Sequence, residues 1–354
     1  MDKVVLQAAD LDGYLTAADL EAIGGLHRLY DQALGEFENL ENRTVSVQKA
    51  AEERLLQIFN DLGETMQALI KNERRIHVYS LETPEFIHGE ASRLVAKLRD
   101  RHTANPEFIY YIQRAYEMLF NLAFAGPHGG DTRHPIFVPT PVSVPVANYA
   151  VHKIPDIDPL IENSVMCVML RAALLPSMIV AKEIQEYSSH HVITPFALFK
   201  ISRDDTRSES DMAYVLDLKK SYFDVRELDG RDLCFADPMN ATGGSLVTVV
   251  QYLLSQGITP RSIRFFNVVS TLKGALRIVR ALEQSEIYTL WMDPTLNEKA
   301  YILPGLGDAG DRINGPDQQE RPRDIIQLIA DYGTHVTSLY RDQIRQIEKT
   351  VLGR

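Results

Sequence analysis

Two acidic turns carry most of the chemistry legible in this chain. Asp237 closes the apolar run Leu233-Cys-Phe-Ala236 and is followed by Pro238-Met-Asn-Ala-Thr-Gly-Gly-Ser245, a small glycine-containing turn that opens a helical pattern. A carboxylate leaving a strand stands at the top of a sheet, where it accepts hydrogen bonds from both hydroxyls of a ribose. The residues after it, Ala241, Thr242, Gly243, Gly244 and Ser245, present backbone N–H groups and two hydroxyls at a helix start. Unpaired amides and partial positive charge there favour a phosphate. The second turn, Tyr301-Ile-Leu-Pro-Gly-Leu-Gly-Asp-Ala-Gly-Asp311, holds three glycines and two acids. Gly307 and Ala309 have no bulk to keep backbone groups or the Asp308 carboxylate from the edge of a flat ligand. Taken singly, Ser245 reads as a helix cap, Asp237 as a turn residue, and the glycines as suppliers of positive φ. Their succession in one chain favours a site. Arg171, after Ser164–Leu170, and Arg203, after Phe196–Ile201, each follow an apolar run. Singly each reads as a solvated charge, but a guanidinium at a strand end is well placed to meet a pyrophosphate through paired N–H bonds.

The elements around these residues alternate in type. Ser164–Leu170, Phe196–Ile201, Leu233–Ala236, Ile263–Val269 and Ile287–Met292 read as strands, with helices near Ser177–Tyr187 and from Leu246 to a Gly257 stop. Such alternation predicts a mostly parallel sheet with helices on both faces, and ligands at the carboxyl ends of its strands. Ahead of it, residues 1–75 read as a helical hairpin. Thr16 with Asp19 forms a capping box, Asn39–Ser46 is the turn, and two apolar stripes run along the helices. The first comprises Leu20, Ile23, Tyr30, Phe37 and Leu40; the second Leu55, Ile58, Phe59, Leu62, Met66 and Leu69. Both packing on the chain's own domain and self-association would cover them. A third helical region, Glu85 to Ala125, is interrupted at Thr103-Ala-Asn-Pro106. Gly126-Pro-His-Gly-Gly130 reads as a connection rather than a phosphate loop, since no strand precedes it. A polar helix from about Pro322 to Leu352, with Ile325, Ile326, Ile329 and Tyr332 on its apolar face, closes the chain.

The chain has 354 residues and a formal net charge of −11. That charge argues against broad nucleic-acid binding but allows a small basic pocket for a phosphorylated ligand. Cys167 and Cys234 lie in apolar runs and read as buried hydrophobes rather than a disulfide or metal pair. No run is as long as a membrane span, and Met1-Asp2 does not open a signal peptide, so a cytoplasmic location without membrane contact is expected.

In this order, the two turns resemble uracil phosphoribosyltransferase. The resemblance runs from about residue 76 to 315 and takes in Leu98-Arg-Asp100, Thr103, Glu107-Phe108, Leu170-Arg-Ala172, Arg203-Asp-Asp-Thr206 and Leu296-Asn-Glu298. It implies an α/β type I phosphoribosyltransferase fold: a mostly parallel central sheet flanked by helices, with a small hood. The α-helical segment 1–75 and the tail 316–354 would be additions. It implies transfer of ribose 5-phosphate from phosphoribosyl pyrophosphate (PRPP) to uracil, giving UMP and pyrophosphate, with Mg²⁺ carried by PRPP rather than held by protein ligands. Arg171, Arg203, Asp237, Pro238, Met239, Asn240, Ala241, Thr242, Gly243, Gly244, Ser245 and Asp308 would hold PRPP. Ile302, Gly307, Asp308 and Ala309 would hold uracil, and Asp237, Arg171 and Asp308 would be catalytic. Homo-oligomers and a nucleotide effector are further implications. Pro238 stands, as in the uracil enzymes, where most type I relatives have a second acid. Three residues depart from the family pattern: Ala173 replaces glycine, Asn240 leucine and Asn314 phenylalanine. They motivate two alternatives, a same-fold transferase for another base-like acceptor and a catalytically silent PRPP or nucleotide sensor.

Overall fold

The computed structural model describes residues 2–41, 44–82, 85–125, 133–204, 206–315, 327 and 341–353. In chain order the strands are β1 (Lys3–Gln7), β2 (Ile76–Val78), β3 (Arg133–Pro139), β4 (Tyr149–Pro155), β5 (Ser164–Leu170), β6 (Phe196–Arg203), β7 (Ala213–Tyr222), β8 (Asp232–Ala236), β9 (Met239–Asn240), β10 (Ser262–Thr271), β11 (Ser285–Asp293), β12 (Thr295–Leu296) and β13 (Ile302–Leu303). Among the described residues, nine strands form one sheet in the order β1-β7-β6-β5-β8-β10-β11-β2, with β9 beside β10. From β6 to β2 every pairing is parallel; β7 runs antiparallel to β6 and to β1. This is the mostly parallel architecture that the alternation predicts. Its central strands are covered on both faces, which is why β5 (SVMCVML) and β8 (DLCFA) are near-continuous apolar runs. Cys167 and Cys234 are free and buried in these two strands. Two antiparallel ribbons, β3–β4 and β12–β13, stand off the main sheet.

The helical hairpin forms as Ala17–Leu40 and Val45–Ile70. Its capping box is made: Thr16 Oγ1 accepts from Asp19 N at 3.1 Å, and Asp19 Oδ2 from Thr16 N at 3.0 Å. The hairpin packs against its own chain, where Arg280 bridges Asp19 (3.0 Å) and Glu73 (2.6 Å) and His27 Nδ1 lies 2.9 Å from Thr295 Oγ1. The buried stripe is rotated from the sequence expectation. Leu26, Tyr30, Ala33, Leu55, Leu62, Met66 and Ile70 are covered, whereas Leu20, Leu40, Phe59 and Leu69 are exposed. Periodicity finds an apolar face, but the packing partner decides which edge of it is covered.

Residues before the hairpin are not helical throughout. Lys3–Gln7 adds an edge strand to the main sheet, pairing with Ala213–Asp217, and the short helix Ala8–Asp12 follows. The segment is too short and too mixed in polarity for sequence pattern to reveal a strand whose partner lies two hundred residues away. At the far end, Arg341–Leu352 buries Ile344 and Ile347, and Thr350 Oγ1 donates to the Phe196 carbonyl at 3.0 Å. Ile325, Ile326, Ile329 and Tyr332, like the Gly126–Gly130 connection, lie outside the described residues. No helix among the described residues is long and apolar enough to cross a membrane.

Candidate functional site

At the carboxyl end of β8 the backbone of Asp237 is fastened to the neighbouring strand. Its N–H donates to the Phe266 carbonyl at 3.0 Å, and its carbonyl accepts from Asn267 Nδ2 at 2.8 Å. The carboxylate faces a cleft of about 580 Å³, and Oδ1 accepts from Met239 N at 3.1 Å. Desolvation is the main force on this group. Against the pull of the Met239 N–H, and aided by the negative charge of Asp308, it pushes the carboxyl up to about 7.

The turn beyond Asp237 is shaped by what lies behind it. The Ala241 carbonyl accepts from Thr271 Oγ1 at 2.5 Å, and the Thr242 carbonyl from Arg277 Nη1 at 3.3 Å. Thr242 Oγ1 accepts from Tyr214 OH at 2.7 Å. Gly243 caps the Gly244–Ser255 helix at φ +72°, and a Cβ there would lie 2.7 Å from the Gly274 carbonyl oxygen. At Gly244 a Cβ would fall 2.1 Å from the Tyr214 ring. These glycines let the chain pass between two packed elements while the helix N-terminus opens toward the cleft.

The opposite wall is the Gly305 loop. Asp293, at the end of β11, accepts from Gly305 N at 3.0 Å and pairs with Arg99 at 2.6 Å, and Arg99 also donates to the Gly305 carbonyl at 3.2 Å. Beyond it Gly307 takes φ +77°. Asp308 accepts from Asp311 N at 2.9 Å, capping the short turn of helix Ala309–Asn314. Arg171 spans the loop and the end of β5: Nη2 pairs with Asp311 Oδ1 at 2.7 Å, and Nη1 donates to the Gly315 carbonyl at 3.1 Å. Arg203 lies over the Tyr301 ring, 4.9 Å from its centroid.

Twelve sequence-predicted site residues line this one cleft: Arg171, Arg203, Asp237, Met239, Asn240, Ala241, Thr242, Gly243, Ser245, Ile302, Gly307 and Asp308. Three do not. Pro238 is buried beside β10, Gly244 lies under the Tyr214 ring, and Ala309 faces inward, fully buried. Lys200, Tyr214 and Tyr301 also line the wall and were not singled out from sequence. Lys200 carried a signal, a lysine inside an otherwise apolar strand. Tyr301 opens the second turn, although no role was given to it, and Tyr214 carried no signal because only the fold brings it there. Lys219 pairs with Asp2 at an exposed edge and Lys220 is exposed; neither reaches the cleft.

Two departures from the family pattern, Ala173 and Asn314, are quiet in the structure, whereas the buried Asn240 Oδ1 has no hydrogen-bond partner among the described residues. Ala173 sits at φ −78°, a conformation that does not call for glycine. Asn240 Nδ2 donates to Ser270 Oγ at 2.9 Å with the side chain almost wholly buried, and Asn314 Nδ2 donates to the Gly310 carbonyl at 3.0 Å.

Part of the chain is similar to known proteins. Residues 183–315 match the family model described as uracil phosphoribosyltransferase. The uracil phosphoribosyltransferase of Polaromonas naphthalenivorans (strain CJ2) is 44% identical over 95 residues, covering 27% of this chain and 44% of that protein. That of Streptococcus mutans (strain ATCC 700610 / UA159) is 44% identical over 89 residues, covering 25% and 42%. The chain thus spans less than half the length of these curated relatives. The AQ2163 protein from Aquifex aeolicus superposes over 68% of this chain and 98% of its own, with 21% identity and a TM-score of 0.48. That similarity is too loose to bear on function.

Proposed function

We propose that this chain, through residues 76–315, transfers ribose 5-phosphate from PRPP to uracil, yielding UMP and pyrophosphate. The observation that carries the reading is the convergence of Asp237, residues Ala241, Thr242, Gly243 and Ser245, and the Gly305–Asp308 loop on one cleft at the carboxyl ends of the sheet strands. The 5-phosphate sits at the start of the Gly244–Ser255 helix, where the Thr242 and Ser245 groups face the cleft. Asp237 meets the ribose hydroxyls. Cleavage of the bond to pyrophosphate leaves positive charge on the sugar and negative charge on the leaving group. Asp237 stabilises the first, and Arg171 with Lys200 and Arg203 the second. The Gly305–Asp308 backbone reads the edge of the base and aligns its N1 with the anomeric carbon.

The donor set fits a magnesium ion that arrives with PRPP. Asp237 and Asp308 share the cleft; burial, with a lesser push from the Asp308 charge, raises the Asp237 carboxyl, and a cation between them would favour the carboxylate. Such an ion binds largely through phosphate and water, and neutralises leaving-group charge when bound. Asn314 is engaged with Gly310, whereas Asn240 donates to Ser270 but lines the cleft with its buried Oδ1 unpartnered among the described residues, so the base panel below decides the acceptor.

The test is UMP formation from uracil and PRPP with Mg²⁺, beside a panel of other bases and the Asp237→Asn variant. UMP from the wild type, abolished or nearly so in the variant, supports the reading. PRPP binding with no product from any base points instead to a sensor.

A further inference from the structure

We infer that the N-terminal segment is a working part of the phosphate loop: Asp12, acting through Arg277, holds the Thr242–Gly243 peptide with its N–H toward the cleft. The inference rests on the proposed reading of that cleft as a donor site. The Arg277 side chain is fully buried behind the loop. Its Nη1 donates to the Thr242 carbonyl at 3.3 Å and lies 2.9 Å from Glu209 Oε1. Its Nε and Nη2 donate to Asp12 Oδ1 at 3.0 and 2.6 Å. Lys273, one turn earlier on the helix Leu272–Ala281, lies 2.7 Å from Glu209 Oε2 and 3.9 Å from Asp12 Oδ1. Two cations and two anions from three separate segments are thereby balanced against the back of the turn.

The physical consequence follows from two rules. A guanidinium keeps its charge, so a buried one stays where carboxylates compensate it. Asp12 and Glu209 therefore set where the Arg277 fork points. A trans peptide is planar, with its C=O and N–H pointing in opposite directions. Pinning the Thr242 carbonyl to Arg277 behind the loop turns the Gly243 N–H to the cleft side. Thr271 does the same one peptide earlier by donating to the Ala241 carbonyl. An anion site needs this arrangement, since carbonyl oxygens facing a phosphate would repel it.

The loop's own residues, alanine, threonine and glycine, carry no charge that could impose the orientation. The segment bearing Asp12 is brought there by β1, which pairs with β7, and by Ala8 N donating to the Met212 carbonyl at 2.8 Å. Glu209 N donates to the Glu298 carbonyl at 2.7 Å, joining the same network to the turn that precedes the base loop. Asp12 and Arg277 do not line the cleft, so both are positioning residues.

The experiment compares Asp12→Asn and Asp12→Glu with the wild-type full chain. Two readouts are taken: amide hydrogen exchange of the ligand-free peptide 239–248, and separate KM values for PRPP and uracil. In Asp12→Asn, loop exchange should accelerate about tenfold, with β5 and β10 unchanged. KM for PRPP should rise about tenfold, with KM for uracil within about twofold, and Asp12→Glu should restore most of both. Unchanged loop exchange, or acceleration spread evenly over β5, β8 and β10, overturns the inference; so does a KM rise shared equally by both substrates. If Asp12→Asn fails to fold, Glu209→Gln removes the other carboxylate on the same guanidinium and carries the same expectations. Hydrogen exchange needs no substrate. A wild type that neither makes UMP nor binds PRPP would therefore sink the reading of the cleft as a donor site while the loop-holding role is still decided.

Discussion

The phosphate-loop wall of the cleft is anchored from behind at successive peptides, whereas the Gly305 wall is fastened near its start and then opens to solvent. On the first wall Thr271 and Arg277 hold the Ala241 and Thr242 carbonyls, and the glycines at 243 and 244 admit no side chain. On the second, the Arg99–Asp293 pair fixes Gly305, but Tyr301, Gly307 and Asp308 are exposed, and a Cβ on Gly307 would meet nothing closer than 3.7 Å. Under the proposed function, the first wall is the preformed one that would take the phosphate, and the second, with room to adjust, would take the base.

The contrast breaks most sharply at Asp237, the one acid that belongs to the rigid wall. Asp237→Asn should lower kcat by about 10²-fold or more while PRPP affinity, followed by calorimetry, changes only a few-fold. A loss of PRPP affinity with kcat unchanged would make the residue a binding group only. Next in size is Asp293→Asn, which leaves Arg99 without its carboxylate and frees Gly305. Because Asp293 is almost wholly buried, a loss of about 3 kcal/mol in urea unfolding is expected. KM for uracil should rise more than KM for PRPP; the reverse ranking would erase the distinction between the walls.

A matched pair of glycine substitutions sharpens it further. Gly244→Ala forces a methyl into the Tyr214 ring and should cost about 1–3 kcal/mol together with PRPP affinity. Gly307→Ala meets only an ordinary contact, Arg312 Cδ at 3.7 Å, and should cost only the left-handed backbone, about 1 kcal/mol. Similar costs in the two melts would show that the walls are packed alike.

The smallest effect is a pH dependence. Burial holds the Asp237 carboxyl near 7, so the group is half protonated there in the free protein. PRPP and its cation favour the carboxylate, so PRPP affinity should rise by less than about tenfold from pH 6 to 8 and be flat in Asp237→Asn. The sign for stability is opposite. The folded state keeps this proton longer than the unfolded chain does, so the contribution is full below pH 4 and lost as pH rises through 7.

Much of the core was legible because its signals are local. Strands β5, β6, β8, β10 and β11 announce themselves as apolar runs, since a sheet covered on both faces needs no polar alternation. The capping box at Thr16 and the helix stop at Gly257, which takes φ +85°, are likewise short-range chemistry. The two site turns could be read for the same reason: a carboxylate at a strand end and glycines at a helix start mean the same thing in most folds. β1 was not legible, because five residues of mixed polarity become a strand only when β7 offers its edge. Ala309 and Gly244 were placed at the site because their neighbours in sequence face it, but a turn sends consecutive residues in different directions.

By itself, then, the sequence determined the alternating elements, the acids and glycines of the two turns, and the arginines at strand ends, all set by interactions within a few residues. Only the tertiary structure decided that the turns face each other across one cleft, that Lys200 and Tyr214 join them, and that Asp12 and Glu209 meet around Arg277 behind the phosphate loop. Those contacts join segments far apart in the chain. A buried guanidinium accepts any carboxylate that the fold delivers, so nothing in the local sequence of Asp12 or Glu209 marks it as the partner.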